Sequence, residues 1–165
     1  MADRLWAPWR MDFIRQGDKP EGCVLCGYVG REPERASGVL ARGPHAYVVL
    51  NKYPYTAGHL MVVPNRHVDS LAGLDAAEHD ALWRLVSASA ERLRQATGAD
   101  GLNLGMNLGR AAGAGIHEHL HVHLVPRWVG DNNFMPVIAD ARVMPEYLGA
   151  TWAQLAPGFA GLGAE

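Results

Sequence analysis

The sequence is poor in cysteine and in net charge, and each shortage excludes a class of protein. Its 165 residues include 2 Cys, and 15 Lys and Arg stand against 17 Asp and Glu, for a formal net charge of -2. Two cysteines cannot build the disulfide framework of a small secreted domain. A near-neutral chain lacks the basic surface that binds nucleic acids or anionic membranes. Any anionic ligand must therefore be held by local groups.

Long hydrophobic runs are also missing. No stretch approaches the roughly 20 apolar residues of a membrane-spanning helix, and the first residues contain no apolar core of a signal peptide. We therefore expect a cytoplasmic protein without a membrane partner. Hydrophobic residues make up 48% of the chain, enough for the core of one domain, 1–165, of the α+β class.

Turn signals and apolar periodicity predict an antiparallel sheet of about five strands, one long helix and a C-terminal helix. A capping pair, Asp75 and Glu78, would begin the long helix and Gly98 would end it. We expect an irregular N-terminal segment over 1–37, a core over 38–128 and a C-terminal extension over 129–165. The expected strands are 39–42, 46–51, 59–64, 102–108 and 117–125, and the C-terminal helix is 145–156.

Histidine is abundant, with 8 residues in the chain. Four of them, at positions 117, 119, 121 and 123, alternate with other residues, so a strand would place their imidazoles on one face. Buried imidazoles need hydrogen-bond partners or ligands, and their mutual repulsion would lower each pKa and favour neutral rings. The residues leave three alternatives open: an exposed edge strand, a multi-histidine metal site, and covalent catalysis by an imidazole.

The run His119-Leu120-His121-Val122-His123-Leu124-Val125 resembles the signature of the histidine triad superfamily of nucleotide hydrolases and transferases. His117 falls outside this signature because Glu118 breaks the rule of hydrophobic spacers. Further similarity lies in Asn51-x-x-Pro54-x-x-x-Gly58-His59, in Pro64-x-x-His67 and in Asn107-x-Gly109. Segments 5–10 and 130–134 are similar to the bacterial diadenosine tetraphosphate phosphorylases, within the branch that also holds the fragile-histidine-triad-like proteins.

The resemblance implies a dimeric nucleotidyl-histidine enzyme with a HIT-like fold. Its substrates would be dinucleoside polyphosphates, cleaved at the α-phosphate by phosphorolysis or hydrolysis. The alternatives are a nucleoside phosphoramidase or nucleotidyl-sulfate hydrolase of the same superfamily, and a non-catalytic nucleotide-binding zinc protein. No organic cofactor is expected.

The same resemblance assigns catalytic roles to the triad and substrate contacts to other residues. His121 would be the nucleophile and His123 a proton donor, with His119 completing the triad. Many members carry a Gln-Ser pair before the triad, where this chain has Gly115-Ile116. Backbone N–H groups of the glycines would replace those donors. The expected substrate-binding residues are Asn51, His59, Asn107, Gly113 and Gly115.

Cys23-x-x-Cys26 is by itself compatible with a metal site, a redox motif or coincidence. The resemblance implies a structural zinc site, completed by His67 and His119. Two thiolates and two imidazoles form a closed tetrahedral set. In that arrangement His119 would orient its neighbours without touching substrate.

Overall fold

The computed structural model describes residues 22–131 and 146–163. Within these ranges, five strands form one antiparallel sheet, and two α-helices accompany it. The α+β class and the sheet of five strands are confirmed. The strands are β1 (Val39–Arg42), β2 (Ala46–Leu50), β3 (Leu60–Pro64), β4 (Gly101–Gly105) and β5 (Val122–Arg127), and the helices are α1 (Ala76–Thr97) and α2 (Leu148–Phe159). The strand order in the sheet is β1-β2-β3-β5-β4.

Helix α1 begins and ends where its local signals predict. The Asp75 carboxylate accepts a hydrogen bond from the backbone N–H of Glu78 at 2.8 Å, and the Glu78 carboxylate accepts one from the backbone N–H of Asp75 at 3.0 Å. Gly98 follows the last turn with a φ of 63°. Apolar side chains of the helix pack on one face of the sheet and form the larger core.

The opposite face of the sheet carries several of the predicted site residues. Alternation along β2 sends Val48 towards the helices, and Tyr47 and Val49 away from them into a second, smaller core cluster. Met61 of β3 belongs to this second cluster and pairs with His123 of β5. His123 therefore lies on the face that the helices leave uncovered.

The expected strand over 117–125 has the wrong limits. Strand β5 starts only at Val122, because the backbone N–H of Leu120 donates to the carbonyl of Val68 in a loop, at 2.6 Å, and not to a neighbouring strand. The strand also continues through Pro126 to Arg127, beyond the expected end at 125. Pairing with β3 stops at Leu124, so β5 has β4 alone beside it there, and a proline is tolerated.

Two further boundaries differ from expectation. Strand β4 stops at Gly105 and forms an edge of the sheet, where Leu104 is 48% exposed and the following Leu108 is 47% exposed. The alternating leucines were expected to form a half-buried strand to 108. They lie instead on an exposed edge strand that ends at Gly105 and on the segment after it. Helix α2 spans Leu148–Phe159 and not 145–156, because Leu155 and Phe159 on one face are fully buried and carry it further.

Parts of the expected pattern fall outside the described residues, namely segment 5–10, Pro145 and most of segment 130–134. In the described part of the chain, neither helix has the length and apolarity needed to cross a membrane.

Candidate active site and metal cluster

A cavity of ≈ 150 Å³ opens on the helix-free face of the sheet beside His121 and His123. Asn51 follows β2, and Asn107 and Gly115 come from the segment between β4 and β5. All three line the cavity. The structure thus brings together five of the predicted site residues, although up to 72 positions separate them in the chain.

Three predicted site residues lie elsewhere. His59 is 0% exposed and lies behind His123. It is not among the described residues that line the cavity. Gly113 lies at the exposed end of a short 3-10 turn, Arg110–Ala112. His119 belongs to the cysteine cluster described below.

The sequence reading missed the apolar wall of the cavity. Val24, Leu25 and Tyr28 line it from the cysteine segment, and Ile116 lines it from the loop before the triad. An available signal was the pair of apolar residues between the two cysteines, which a purely metal-binding loop does not require. Tyr53 and Tyr55 also line the cavity, from the turn between β2 and β3.

The His121 ring is held in one orientation by the backbone. Its Nδ1 lies 2.8 Å from the carbonyl oxygen of His119, which can only accept, so Nδ1 carries the proton. Nε2 of the neutral ring then keeps its lone pair. Burial lowers the pKa of His121 and favours that neutral form.

A second chain of contacts sets the tautomers of His59 and His123. The backbone N–H of Tyr55 donates to His59 Nδ1 at 3.0 Å, so the proton of neutral His59 is on Nε2. That nitrogen lies 3.0 Å from His123 Nδ1 and donates to it. Neutral His123 consequently carries its own proton on Nε2. Burial, and next the neighbouring His123 and His121, lower the pKa of His59 to about 3.

The metal-ligand atoms of Cys23, Cys26, His67 and His119 all lie within 4.8 Å of one another. The Cys23 Sγ–His119 Nδ1 distance is 3.3 Å, and the Cys26 Sγ–His67 Nδ1 distance is 3.2 Å. Zinc bonds of about 2.3 Å to sulfur and about 2.0 Å to nitrogen give a tetrahedral S···N edge of about 3.5 Å. The donor set and its spacing fit a zinc ion.

The surroundings of His119 suit a ligand as well. Its Nε2 lies 2.9 Å from the Pro64 carbonyl oxygen and donates to it, so Nδ1 keeps its lone pair on the side of the cysteines. A metal-binding histidine usually donates its second ring N–H in this way. His117 stands apart from these groups and accepts a hydrogen bond from Arg110 Nε at 3.0 Å.

Comparison with known proteins agrees with this geometry. A family model described as the HIT domain matches residues 32–129. The AP-4-A phosphorylase of Mycobacterium tuberculosis is 38% identical over 160 residues, which cover 93% of this chain and 82% of that protein. Fold and histidine cluster define a protein of the histidine triad class. The chain belongs to the HIT family and is an enzyme of that family.

Solved structures share the fold. A hypothetical histidine triad nucleotide-binding protein from Sulfolobus tokodaii has a TM-score of 0.68 at 28% identity, covering 85% of this chain and 93% of its own. A zinc-bound histidine triad protein from Mycobacterium smegmatis has a TM-score of 0.66 at 24% identity, covering 86% and 95%. The latter likeness concerns the fold alone. The HIT-like fold expected from the sequence is confirmed.

Proposed function

We propose that this protein cleaves dinucleoside polyphosphates of the diadenosine tetraphosphate type through a nucleotidyl-histidine intermediate. The observation that carries the proposal is the hydrogen bond from His121 Nδ1 to the His119 carbonyl, because it leaves Nε2 as a nucleophile beside a cavity. The identity of 38% to a protein named AP-4-A phosphorylase supports the choice of substrate.

The reaction has two displacements at the α-phosphorus. His121 Nε2 attacks phosphorus, a P–N bond forms, and the P–O bond to the leaving nucleotide breaks with its electron pair on oxygen. An oxygen of inorganic phosphate or water then attacks the same phosphorus, and the P–N bond breaks. The first displacement needs a neutral imidazole as nucleophile and the second releases a neutral imidazole, the form that the burial of His121 favours.

We assign His123 to the leaving oxygen. Because Nδ1 accepts from His59, the neutral ring carries its proton on Nε2, and this N–H would hydrogen-bond the oxygen on which charge develops. Asn51, Asn107 and Gly115 would bind the phosphates and the nucleoside from the cavity walls. His59 becomes a positioning residue for His123 and not a substrate contact.

We propose a structural zinc ion at the Cys23, Cys26, His67 and His119 cluster, on the strength of the distances given above. Four protein ligands leave no open coordination position, so the ion would supply rigidity and no chemistry at the substrate. His119 would then contribute to the reaction only through its carbonyl. Its ring would bind zinc and would not take the catalytic role expected from the sequence.

Product analysis tests the function. The protein is incubated with diadenosine tetraphosphate with and without inorganic phosphate. ADP plus ATP indicates phosphorolysis, AMP plus ATP indicates hydrolysis, and a His121→Ala variant should form neither product nor a covalent adduct. Faster turnover of an adenosine phosphoramidate would favour the phosphoramidase alternative. Tight binding of the tetraphosphate without any product would favour the non-catalytic one.

We also propose a homodimer formed through the β4 edge. That edge presents unpaired strand backbone together with Leu104 and Leu108, which are about half exposed within the described structure. Sedimentation equilibrium should give twice the chain mass, and a Leu104→Lys variant should shift the protein towards monomer.

A further inference from the structure

One short segment belongs to both sites. The cysteine loop, defined as Cys23–Tyr28, supplies Cys23 and Cys26 to the metal cluster and Val24, Leu25 and Tyr28 to the cavity wall. Ligand and wall residues thus alternate within six positions. The loop cannot move as a body without moving the two sets together.

Few contacts within the described residues tie this loop to the sheet. Its backbone makes a single 3-10 turn, with local hydrogen bonds such as Tyr28 N–H to the Leu25 carbonyl at 3.1 Å, and it pairs with no strand. Leu25 is 1% exposed in the second core cluster, and the Tyr47 hydroxyl donates to the Leu25 carbonyl at 2.7 Å. Tyr28 also packs against this cluster, with its ring centroid 6.3 Å from that of Tyr47, and the thiols contact His67 and His119.

We propose that metal loading of the cysteine–histidine cluster determines how tightly the cavity binds the nucleoside part of its substrate. The inference rests on the proposed function, since it takes the cavity as the nucleotide site. A metal ion bonded to both thiols would fix the cysteine loop, and with it Val24 and Tyr28, in the position that forms the wall. Without the ion, ordering that wall has to be done by the ligand, which weakens binding.

Coupling of this kind is reciprocal. If metal raises nucleoside affinity by some factor, nucleoside must raise metal affinity by the same factor, because both are legs of one thermodynamic cycle. Such factors lie between about 5 and 150 in coupled sites. We expect a factor of about ten here, since the metal bonds would supplement the packing of Leu25 and Tyr28 and one hydrogen bond to the loop.

A second route from the metal to the substrate must be distinguished from the loop. His119 is a ligand of the cluster and its carbonyl holds His121, so metal removal also disturbs the phosphate end of the site. Adenosine has no phosphate and does not use that end. An effect of metal on adenosine binding therefore belongs to the cysteine loop, whereas an effect confined to AMP belongs to His121.

The test uses the full chain, loaded with zinc or stripped by a chelator, with folding of both forms checked by circular dichroism. Calorimetry should show adenosine and AMP binding about tenfold more weakly to the stripped protein. In the reverse titration, adenosine should raise the affinity for Co²⁺, followed by its thiolate absorption, by the same factor. Equal adenosine affinity with and without metal would overturn the proposal, as would an effect seen with AMP alone.

Two variants keep the test decisive. Val24→Ala should weaken adenosine binding and leave the Co²⁺ affinity of the nucleoside-free protein unchanged. Tyr47→Phe removes the hydrogen bond to the Leu25 carbonyl and keeps every metal ligand. Adenosine should therefore bind this variant less tightly even with zinc present. If the metal-free protein unfolds, this variant still tests whether the position of the cysteine loop controls adenosine binding. Unchanged adenosine affinity in Tyr47→Phe would count against the proposal. If the zinc-loaded wild type binds neither ligand, the proposed function fails, and the coupling with it.

Discussion

His59 Nε2 lies 3.0 Å from Nδ1 of His123, although 64 positions separate the two residues in the chain. Because the Tyr55 backbone N–H occupies the other nitrogen of His59, this contact has a fixed direction, from His59 to His123. The fully buried imidazole of His59 therefore determines which nitrogen of His123 carries a proton.

Replacing His59 should impair departure of the leaving group. A His59→Phe variant fills the space and cannot donate to His123, so the Nε2–H tautomer is no longer selected. Loss of proton donation typically costs about 100-fold or more in rate, and we expect that loss in kcat with diadenosine tetraphosphate. An aryl ester of AMP, whose leaving group needs no proton, should be turned over almost normally.

The matched variant is His59→Gln, whose side-chain N–H can take the place of Nε2–H. It should recover a large part of the activity lost in the phenylalanine variant. An equal loss with both substrates in His59→Phe would mean that the residue supports the fold and not the tautomer.

Acid should destabilise the protein through His59. Its pKa is about 3 in the folded state, against about 6.5 for an unperturbed histidine. Between these values the unfolded chain binds more protons, so the stabilising contribution is fully present above pH 6.5 and is lost as the pH falls towards 3. The slope from one such group is at most about 1.4 kcal/mol per pH unit. The groups that face it are the imidazoles of His123 and His121, the Asn51 amide, and the backbone and ring of Tyr55.

Urea unfolding of wild type and His59→Phe at pH 7 and pH 5 measures this contribution. The variant lacks the titrating ring, and its stability should fall less between the two values. Parallel losses in the two proteins would show that His59 is not the group responsible.

Glu78 should stabilise the loop that carries His67. Its carboxylate accepts from Arg66 Nε at 2.7 Å, and from the backbone N–H of Asp75 at 3.0 Å. The hydrogen bond from Arg66 is the main cause that lowers the pKa of Glu78 to about 2. The depressed pKa makes the interaction stabilising above about pH 4.5, and acid removes it towards pH 2.

A Glu78→Gln variant should therefore melt a few degrees lower at pH 7, and the difference should shrink as the pH falls below 4.5. Asp80→Asn is the matched control, because Asp80 pairs with Arg84 on the same helix and these side chains are 61% and 79% exposed, respectively. Such pairs contribute little. An identical melting temperature for Glu78→Gln and wild type at pH 7 would contradict the assignment.

Local chemistry made part of this structure predictable. The capping box joins two residues three positions apart, Asp75 and Glu78, and the triad run is continuous in the chain. Both features could therefore be predicted directly from the sequence. The burial of His59 was not readable, because it depends on β3 and β5 pairing across 64 positions. The wall residues Val24 and Tyr28 were missed for a related reason: a loop without a periodic pattern shows its orientation only once the sheet beneath it is formed.

Gly58, the residue before His59, ties backbone conformation to the site. Its φ is +81°, and an added Cβ would lie 3.1 Å from Pro126 Cγ, so alanine meets both an unfavourable conformation and a close neighbour. Gly58→Ala should destabilise the protein by about 1–2 kcal/mol for the conformation alone, and it should lower kcat because His59 must shift.

Gly98 provides the comparison for that prediction, since its φ is +63° and an added Cβ would meet nothing within 4 Å. Gly98→Ala should carry a similar conformational cost in chemical denaturation, while kcat stays normal because the added methyl group displaces no neighbour. The two variants therefore separate backbone strain from displacement of His59. If Gly58→Ala lost stability and kept full kcat, the His59–His123 contact would tolerate movement, and the tautomer control argued from its 3.0 Å separation would have to be abandoned.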